Sequence, residues 1–534
     1  MNTIKTLIIS ACLVILISGC SSTAAIISTP VENIDTSPLK VSELTEFEKR
    51  NWGHLDLVTD TIPGMSVNKA YSEIIKKRKG KTVIVAVIDS GIDIDHEDLN
   101  DVIWTNKDEI PNNGKDDDKN GYVDDIHGWN FVGDGYHEQL EYVRLLASGD
   151  TSNPRYAEAQ ALYEKEQQKY IGLKKNYDDF LVQLTSADET IAKHLGKKNY
   201  TKDEVSAIKT EDKGLQQSVS IIKYTYTLAP NINEFKQTLK DGLKEFNSRL
   251  DYMLNKNHKG RLTGDNPDDL NDTPYGNGNV KPQIKSNSHG THVAGIIAAE
   301  RNNGKGVNGV ANHVKIMAIR STPRGDEYDK DVALAIRYAV DNGAKVINAS
   351  FGKSFSPHSN WVRDAIAYAG KKDVVFVHAA GNDSKNVDIK PNFPDDNING
   401  QEVTDTYIRV GALASKYGSN MVAGFSNYGK QNVDVFAPGA EVYSTMPENE
   451  YEFQGGTSMA APAVAGVAAL IRSYYPSLSA AQVKQIIMNS GLAVKTKVVV
   501  GGDTNNIKPF ADLTKSSKMV NAYNALITAA KLAK

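Results

Sequence analysis

The sequence predicts an α/β fold: a mostly parallel central sheet flanked by helices on both faces, with an inserted all-helical arm. Three observations carry this reading. Continuous β-branched and apolar runs recur at 82–88, 314–319, 345–348, 374–378 and 407–410, and such runs suit strands buried on both faces of a parallel sheet. Helical patterns separate them, notably at 331–340 and 360–369, and strands alternating with helices cover both sides of a sheet. Between the first run and the others, residues 136–260 change texture and step by three and four.

Taken in order, Lys5 precedes an apolar run over 7–17, too short to cross a bilayer core of about 30 Å but suited to an export signal. Ile17-Ser18-Gly19-Cys20 follows and resembles the lipobox of bacterial lipoproteins, which implies acylation of Cys20. The reading is therefore a signal over 1–20, a Ser/Thr/Pro-rich tether over 21–51, an α/β unit in two parts over 52–135 and 261–534, and the arm over 136–260. The expected location is an exported lipoprotein held by its lipid to a bacterial cell-envelope membrane, with the outer membrane favoured. Cys12 and Cys20 are the only cysteines. A disulfide framework, a cysteine zinc site and a thiol nucleophile are thus excluded from the body. With 40% hydrophobic residues, 24% charged and a net charge of −4, a large core is possible and no nucleic-acid partner is expected.

In the arm, Tyr156, Ala159, Tyr163, Tyr170, Leu173, Tyr177, Phe180, Leu184, Ala187 and Ile191 mark one long helix. Thr201-Lys202-Asp203-Glu204 has capping-box form ahead of a second helix, and Phe235, Leu239, Leu243, Phe246, Leu250 and Leu254 mark a third. The tyrosines read as a packing stripe. The arm's base is expected near the rim of the cleft, where the arm would restrict access or bind substrate or a partner protein.

The chemistry lies outside the arm. Asp89-Ser90-Gly91 ends the first strand, Asn287-Ser288-His289-Gly290-Thr291-His292 comes next, and Gly455-Gly456-Thr457-Ser458-Met459-Ala460 follows. These glycine-flanked signatures, in the order Asp, His, Ser, resemble those of the subtilisin-like serine proteases, the subtilases, over everything but the signal, tether and arm. The resemblance implies a subtilisin-like fold, with Ser458 as nucleophile, His289 as its base and Asp89 as the carboxylate orienting the imidazole. A serine hydroxyl needs such a base, and the base such a carboxylate, to attack at neutral pH. Ala379-Ala380-Gly381-Asn382 closes the 374–378 strand, and by the same resemblance Asn382 donates its amide to the oxyanion. Ser350-Phe351-Gly352 resembles the segment that pairs with an extended substrate, with Ala380 and Gly381 alongside. Asp383 would lie near the pocket for the residue preceding the cut and extend an apolar preference towards Lys or Arg.

Several departures and rejections narrow the reading. Pro462-Ala463 stands where many members have Pro-His. The stretch from Cys20 to Trp52 is too short for the folding propeptide of many secreted members. His289 and His292 lack the glutamate of a zinc-protease motif, and Gly80-Lys81-Thr82 precedes its strand, unlike a phosphate loop. The acidic loop at 116–125 places Asp116, Asp118, Asn120 and Asp124 at the first, third, fifth and ninth positions of an EF-hand-like count. Gly121 stands sixth and the Tyr122 carbonyl seventh. Ca²⁺ is the expected structural ion. His127 replaces the final glutamate, leaving Asp125, water or a more distant group to complete the shell. A second acidic loop at 264–272 has no comparable count. The expectation is a serine endopeptidase acting on proteins or peptides in extended conformation. The alternatives are an adhesin or scaffold with a vestigial protease domain, or a transpeptidase using the same acyl-enzyme.

Overall fold

The computed structural model describes residues 28–533 apart from 33 and 286; the expected signal and Cys20 lie outside the described residues. Nine strands form one sheet: β1 (Val83–Asp89), β2 (Gly128–Asn130), β3 (Val314–Arg320), β4 (Val346–Ala349), β5 (Val375–Ala379), β6 (Tyr407–Leu413), β7 (Val435–Pro438), β8 (Leu492–Ala493) and β9 (Lys518–Met519). Their spatial order is β8-β9-β7-β6-β5-β4-β1-β3-β2. Every pairing is parallel except that of β8 with β9.

Strand β1 shows why its run is continuous. Val83, Val85 and Val87 enter one core and Ala86 and Ile88 the other, all of them buried. Fully burying a Val, Leu or Ile side chain contributes about 1.5–3 kcal/mol, so both faces are covered. Helices α7 (His289–Ala298), α10 (Thr457–Tyr474), α11 (Ala480–Ser490) and α12 (Ala522–Leu532) build the first core, and α8 (Asp329–Asp341) and α9 (Ser359–Lys371) the second. Strands β2, β8 and β9 have only two or three residues each, too few for a periodic signal.

The part of the expected tether that is described does not run free. Asn524 of α12 exchanges two 2.8 Å hydrogen bonds with the backbone of Val31. Ile34 is buried, α1 (Glu46–Asn51) starts with a Thr45–Glu48 capping box, and the buried Trp52 indole donates to the Glu441 carbonyl at 3.1 Å. This segment is a strap across the body, because its apolar residues find core to enter.

The arm contains α2 (Glu141–Ser148), α3 (Tyr156–Leu195), α4 (Lys202–Ser206), α5 (Lys213–Leu228) and α6 (Ile232–Ser248). Thr201 and Glu204 form the capping box that their spacing predicts, but α4 is a single turn. A new N-cap, Asp212, accepts from the Leu215 amide and starts α5. The arm has two separate cores. Leu184, Ile191, Val205, Ile222 and Leu239 fill the tip, and Tyr142, Val143, Leu146, Ala159 and Leu254 fill the root. The tyrosine stripe packs between helices: Phe246 meets Tyr170 and Tyr177, and Arg249 lies over the Tyr170 ring at 4.8 Å.

Candidate active site

Asp89 is the last residue of β1, Ser350 follows β4, and Asn382 lies just beyond β5. The C-terminal ends of neighbouring parallel strands therefore deliver three of the expected residues to one edge of the sheet. Asp89 is 1% exposed. Its Oδ1 accepts from the Ser90 amide and meets His289 Nδ1, each at 2.7 Å. His289 opens α7, and Gly290 permits this approach: a Cβ there would stand 2.3 Å from the Gly91 carbonyl oxygen. Burial opposes protonation of His289, but the Asp89 charge and hydrogen bond outweigh it and raise its pKa above the ordinary 6.5.

Ser458 is the second residue of α10. Pro462, four residues on, has no N–H for the Ser458 carbonyl, which instead accepts from Ser350 Oγ at 2.8 Å. The Ser458 hydroxyl donates back to the Ser350 carbonyl at 3.0 Å. One helix-interior proline thus leaves a carbonyl that joins the serine turn to the segment after β4. Asn382 is fixed at its oxygen, which accepts from the Thr457 amide at 2.8 Å and the Thr457 hydroxyl at 3.0 Å. Its Nδ2 is left for another partner. A Cβ on Gly456 would sit 3.4 Å from Asn382 Nδ2 and 3.5 Å from the Ser458 amide nitrogen. The glycine keeps open a spot on which two donors converge. Gln454 donates to Ser288 at 3.3 Å and links the serine segment to the start of α7.

Among the residues expected to line the substrate, Gly352 is exposed and Phe351 half-buried, with the Phe351 carbonyl accepting from the buried His378 at 2.8 Å. Ala380 is buried, and its carbonyl accepts from Asn427 and Asn392. Gly381 has φ +100°, and a Cβ there would stand 2.4 Å from Asn427 Nδ2, so this position requires glycine. Asn427 also accepts from the Asp383 and Lys385 amides and staples the whole loop. No local motif marks Asn427, whereas Thr457 lies within the serine signature but carries no expected role there. The Asp383 carboxylate pairs with Lys385 at 3.2 Å, and 53% of its side chain is exposed. Its charge is answered within its own loop. His292 is fully buried with Nε2 on two carbonyls, and burial pushes its pKa down to about 4. It is a neutral packing residue.

The model of one family, the subtilase family, matches residues 80–506. The chain belongs to the subtilase family. Similar proteins include a thermophilic serine proteinase of Bacillus sp. strain AK1, 44% identical over 188 residues, 35% of this chain and 43% of that protein. Subtilisin DY of Bacillus licheniformis is 37% identical over 226 residues, 42% of this chain and 78% of that protein. The chain thus spans less than half the length of the first of these subtilases. Among solved structures, a protease of Pseudoalteromonas arctica PAMC 21717 is 32% identical, with a TM-score of 0.36 over 45% of this chain and 70% of that one.

The first acidic loop of this subtilase differs from the sequence-based ligand count. Asp116 accepts from the Asn120 and Gly121 amides, and Asp124 turns back to the Asn113 and Gly114 amides. Tyr122 packs its ring on Trp129 and Tyr338. The carboxylates that converge are Glu109, Asp118 and Asp125, with oxygens within 4.8 Å of one another. Asn120 Nδ2 donates to both aspartates, so its nitrogen faces the cluster. Of the expected ligands only Asp118 stays in the carboxylate set, because the loop's own amides consume Asp116 and Asp124. Glu109 is 5% exposed, and its Oε2 is buried with no hydrogen-bond partner. Burial pushes the Asp125 pKa up to about 6, with the Asp118 charge adding to it against hydrogen bonds from Tyr338, Asn120 and Asn106. Two buried carboxylates, a half-buried third and an orphaned oxygen fit a hard cation taking oxygen ligands.

The second acidic loop carries its own cation. The buried ammonium of Lys330 donates to Asp265 at 2.6 Å and to the carbonyls of Asn266 and Asp272 at 2.9 and 2.8 Å. Arg261 forks onto Asp265 and Asp331. Among the described residues no helix is long and apolar enough to cross a membrane.

Proposed function

We propose that this chain is a serine endopeptidase that cleaves proteins or peptides through an acyl-enzyme on Ser458. The observation that carries the reading is the 2.7 Å contact of buried Asp89 with His289 Nδ1, beside a serine turn on which two oxyanion donors converge. Rotation of Ser458 about χ1 would exchange the Ser350 carbonyl for His289 Nε2 as acceptor. The oxygen then attacks the scissile carbonyl carbon as its proton passes to Nε2. The resulting oxyanion takes hydrogen bonds from Asn382 Nδ2 and the Ser458 amide, at the N-terminal end of α10, where the helix dipole favours negative charge. His289 returns the proton to the leaving amine as the C–N bond breaks, and a water molecule repeats the sequence to free Ser458. Asp89 keeps its 2.7 Å contact with Nδ1 and stabilises the imidazolium as it forms. Its burial and the Ser90 amide fix the carboxylate so that it holds the imidazole in the tautomer that leaves Nε2 unprotonated.

An extended substrate would lie along Ser350-Phe351-Gly352. Gly352 is exposed, and its backbone groups carry no hydrogen bond among the described residues, so they are open to strand addition. Ca²⁺ is the ion we assign to Glu109, Asp118 and Asp125, where it would neutralise the packed carboxylates and hold the loop. The sequence alone supports acylation of Cys20 and an envelope location; radiolabelled palmitate incorporated by the wild type but not by C20S would test them. The activity is tested by alkyl fluorophosphonate labelling and by cleavage of a proteome-derived peptide library, with Ser458→Ala as control. Labelling and cleavage lost in S458A are expected. A folded wild type that neither labels nor cleaves would favour a binding scaffold, and ligated products in place of hydrolysed ones would favour transpeptidation.

A further inference from the structure

The arm's root is built into the two chain segments that leave the triad's end of the sheet. One segment begins after β3, where the Ser321 and Thr322 amides donate to the Asp89 carbonyl. It runs on to Arg324, whose backbone pairs with Tyr136 and Glu138 at the arm's first residues. Further along, Arg144 of α2 donates to the carbonyls of Asp326 and Glu327 and lies 4.0 Å over the Tyr328 ring. The other segment begins at Ser350, bonded to Ser458, and reaches the arm within three residues.

Lys353 is 4% exposed. Its ammonium meets Glu141 of α2 at 2.7 Å, Asp329 at 3.0 Å and the Glu327 carbonyl at 2.7 Å. Burial disfavours the Glu141 carboxylate, yet Arg144 and Lys353 hold its pKa down at about 2, so it is an anion at any working pH. Next to Lys353, Arg155 at the start of α3 donates to the Ser354 carbonyl at 2.9 Å and stacks 3.7 Å over the Phe355 ring. Phe355 is itself buried in the arm's root core with Tyr142 and Leu254. On the side away from the arm, Phe393 pairs with the Lys353 backbone in both directions.

We propose that the root of the arm positions the substrate-pairing segment: Glu141 through Lys353, and Arg155 through Ser354 and Phe355, set the line of Ser350–Gly352 on which an extended substrate pairs. The inference rests on the endopeptidase reading and goes beyond it, because it makes the arm part of the cleft wall. Neither residue touches reacting atoms. Their effect therefore belongs in substrate alignment, and a probe that reaches only Ser458 should not feel it.

Arg155 is the residue to change, since a third of its side chain is exposed and its loss leaves no buried charge unpaired. The experiment compares wild type, Arg155→Ala and Arg155→Lys, all as the full chain, by hydrolysis of a peptide spanning several residues before the cut and by the rate of alkyl fluorophosphonate labelling. The expected result for R155A is a KM for the peptide raised about five-fold, the equivalent of one net hydrogen bond. Its kcat and labelling rate should stay within two-fold and its melting temperature near the wild type's. R155K, which can still donate to the Ser354 carbonyl, should recover most of the KM. An active wild type whose R155A variant keeps its KM, or loses labelling and peptide cleavage in equal measure, overturns the positioning role. A folded wild type inert to the fluorophosphonate overturns the endopeptidase reading, and this one with it.

Discussion

Substituting Asn382 separates orientation from stabilisation at the proposed oxyanion site. Its Oδ1 holds two donors of Thr457, at 2.8 and 3.0 Å, so the amide group is already aimed before substrate arrives. Asn382→Ala removes one of the two proposed oxyanion donors and leaves the Ser458 amide. Loss of one such donor costs roughly 10²–10³ in kcat, about 2.7–4 kcal/mol. Asn382→Asp keeps both acceptor roles towards Thr457 but puts a carboxylate oxygen where Nδ2 stood. Like charges ~4 Å apart repel by about 1 kcal/mol in water. Asn382 is exposed, so this low end applies, and N382D should turn over about five-fold more slowly than N382A at neutral pH. The assay is steady-state hydrolysis of one peptide by the three proteins at equal active-site concentration. KM should change little, because the donor acts on charge that develops only in the transition state. N382A within ten-fold of wild type, or N382D faster than N382A, would refute the assignment.

Three further outcomes follow from other parts of the molecule. The pKa of His289 is raised above 6.5 by Asp89 against burial, and only the neutral imidazole accepts the serine proton. The acid limb of kcat/KM should therefore lie above pH 6.5 and move down in the residual activity of Asp89→Asn, where burial acts without the opposing charge; a limb at lower pH in the wild type contradicts this. Ca²⁺ at 100 times its Kd should stabilise the protein by about 2.7 kcal/mol, read as a melting shift lost in excess EDTA and in Glu109→Gln or Asp118→Ala but kept in Asp116→Ala. Because Asp125 is pushed up to about 6, the shift should weaken below that pH as a ligand takes up a proton; no calcium response, or one lost equally in D116A, rejects the site. Finally, the arm's tip and root have separate cores, and Gly242 packs against the Tyr177 ring. Joining residue 177 to 242 by a short Gly/Ser linker should leave peptide turnover within a few-fold, whereas excision of 140–256 should lower the melting temperature by leaving Lys353 buried without Glu141. Equal effects of the two deletions would show the arm to be one unit.

What was legible in the sequence was whatever one short stretch encodes. The β1 run, the glycine that lets His289 reach Asp89, and the proline after Ser458 are all local, and the strand ends bring Asp89 and Asn382 to one edge. The parallel arrangement also followed, since doubly buried strands alternating with helices suit a parallel sheet, but no stretch of sequence set the strand order. What was hidden depends on chain distant in sequence. Glu109 joins Asp118 and Asp125 from outside the counted loop, and a count along 116–125 cannot foresee that Asp116 and Asp124 are taken by neighbouring amides. Asn427 staples the Asn382 loop from a different turn. Lys353 looks like a surface lysine until Glu141 of the arm meets it, and the segment after Cys20 looked like a tether because its few apolar residues show no period.

Lys330 gives the two acidic loops different dependence on their surroundings. The loop it enters carries a covalently supplied ammonium, whose effective concentration is set by the fold and never falls with dilution, export or competition from chelating surfaces. The loop around Glu109 would borrow its charge from the medium and so report the divalent-ion level there. With calcium bound as proposed, a calcium-poor medium would loosen the loop with the borrowed ion first, while the lysine-held loop at the foot of α8 would keep its shape. Early self-inflicted nicks should then gather in 109–125 and spare 264–272, a pattern that peptide mapping of a slowly inactivating sample would display as an ordered series of fragments.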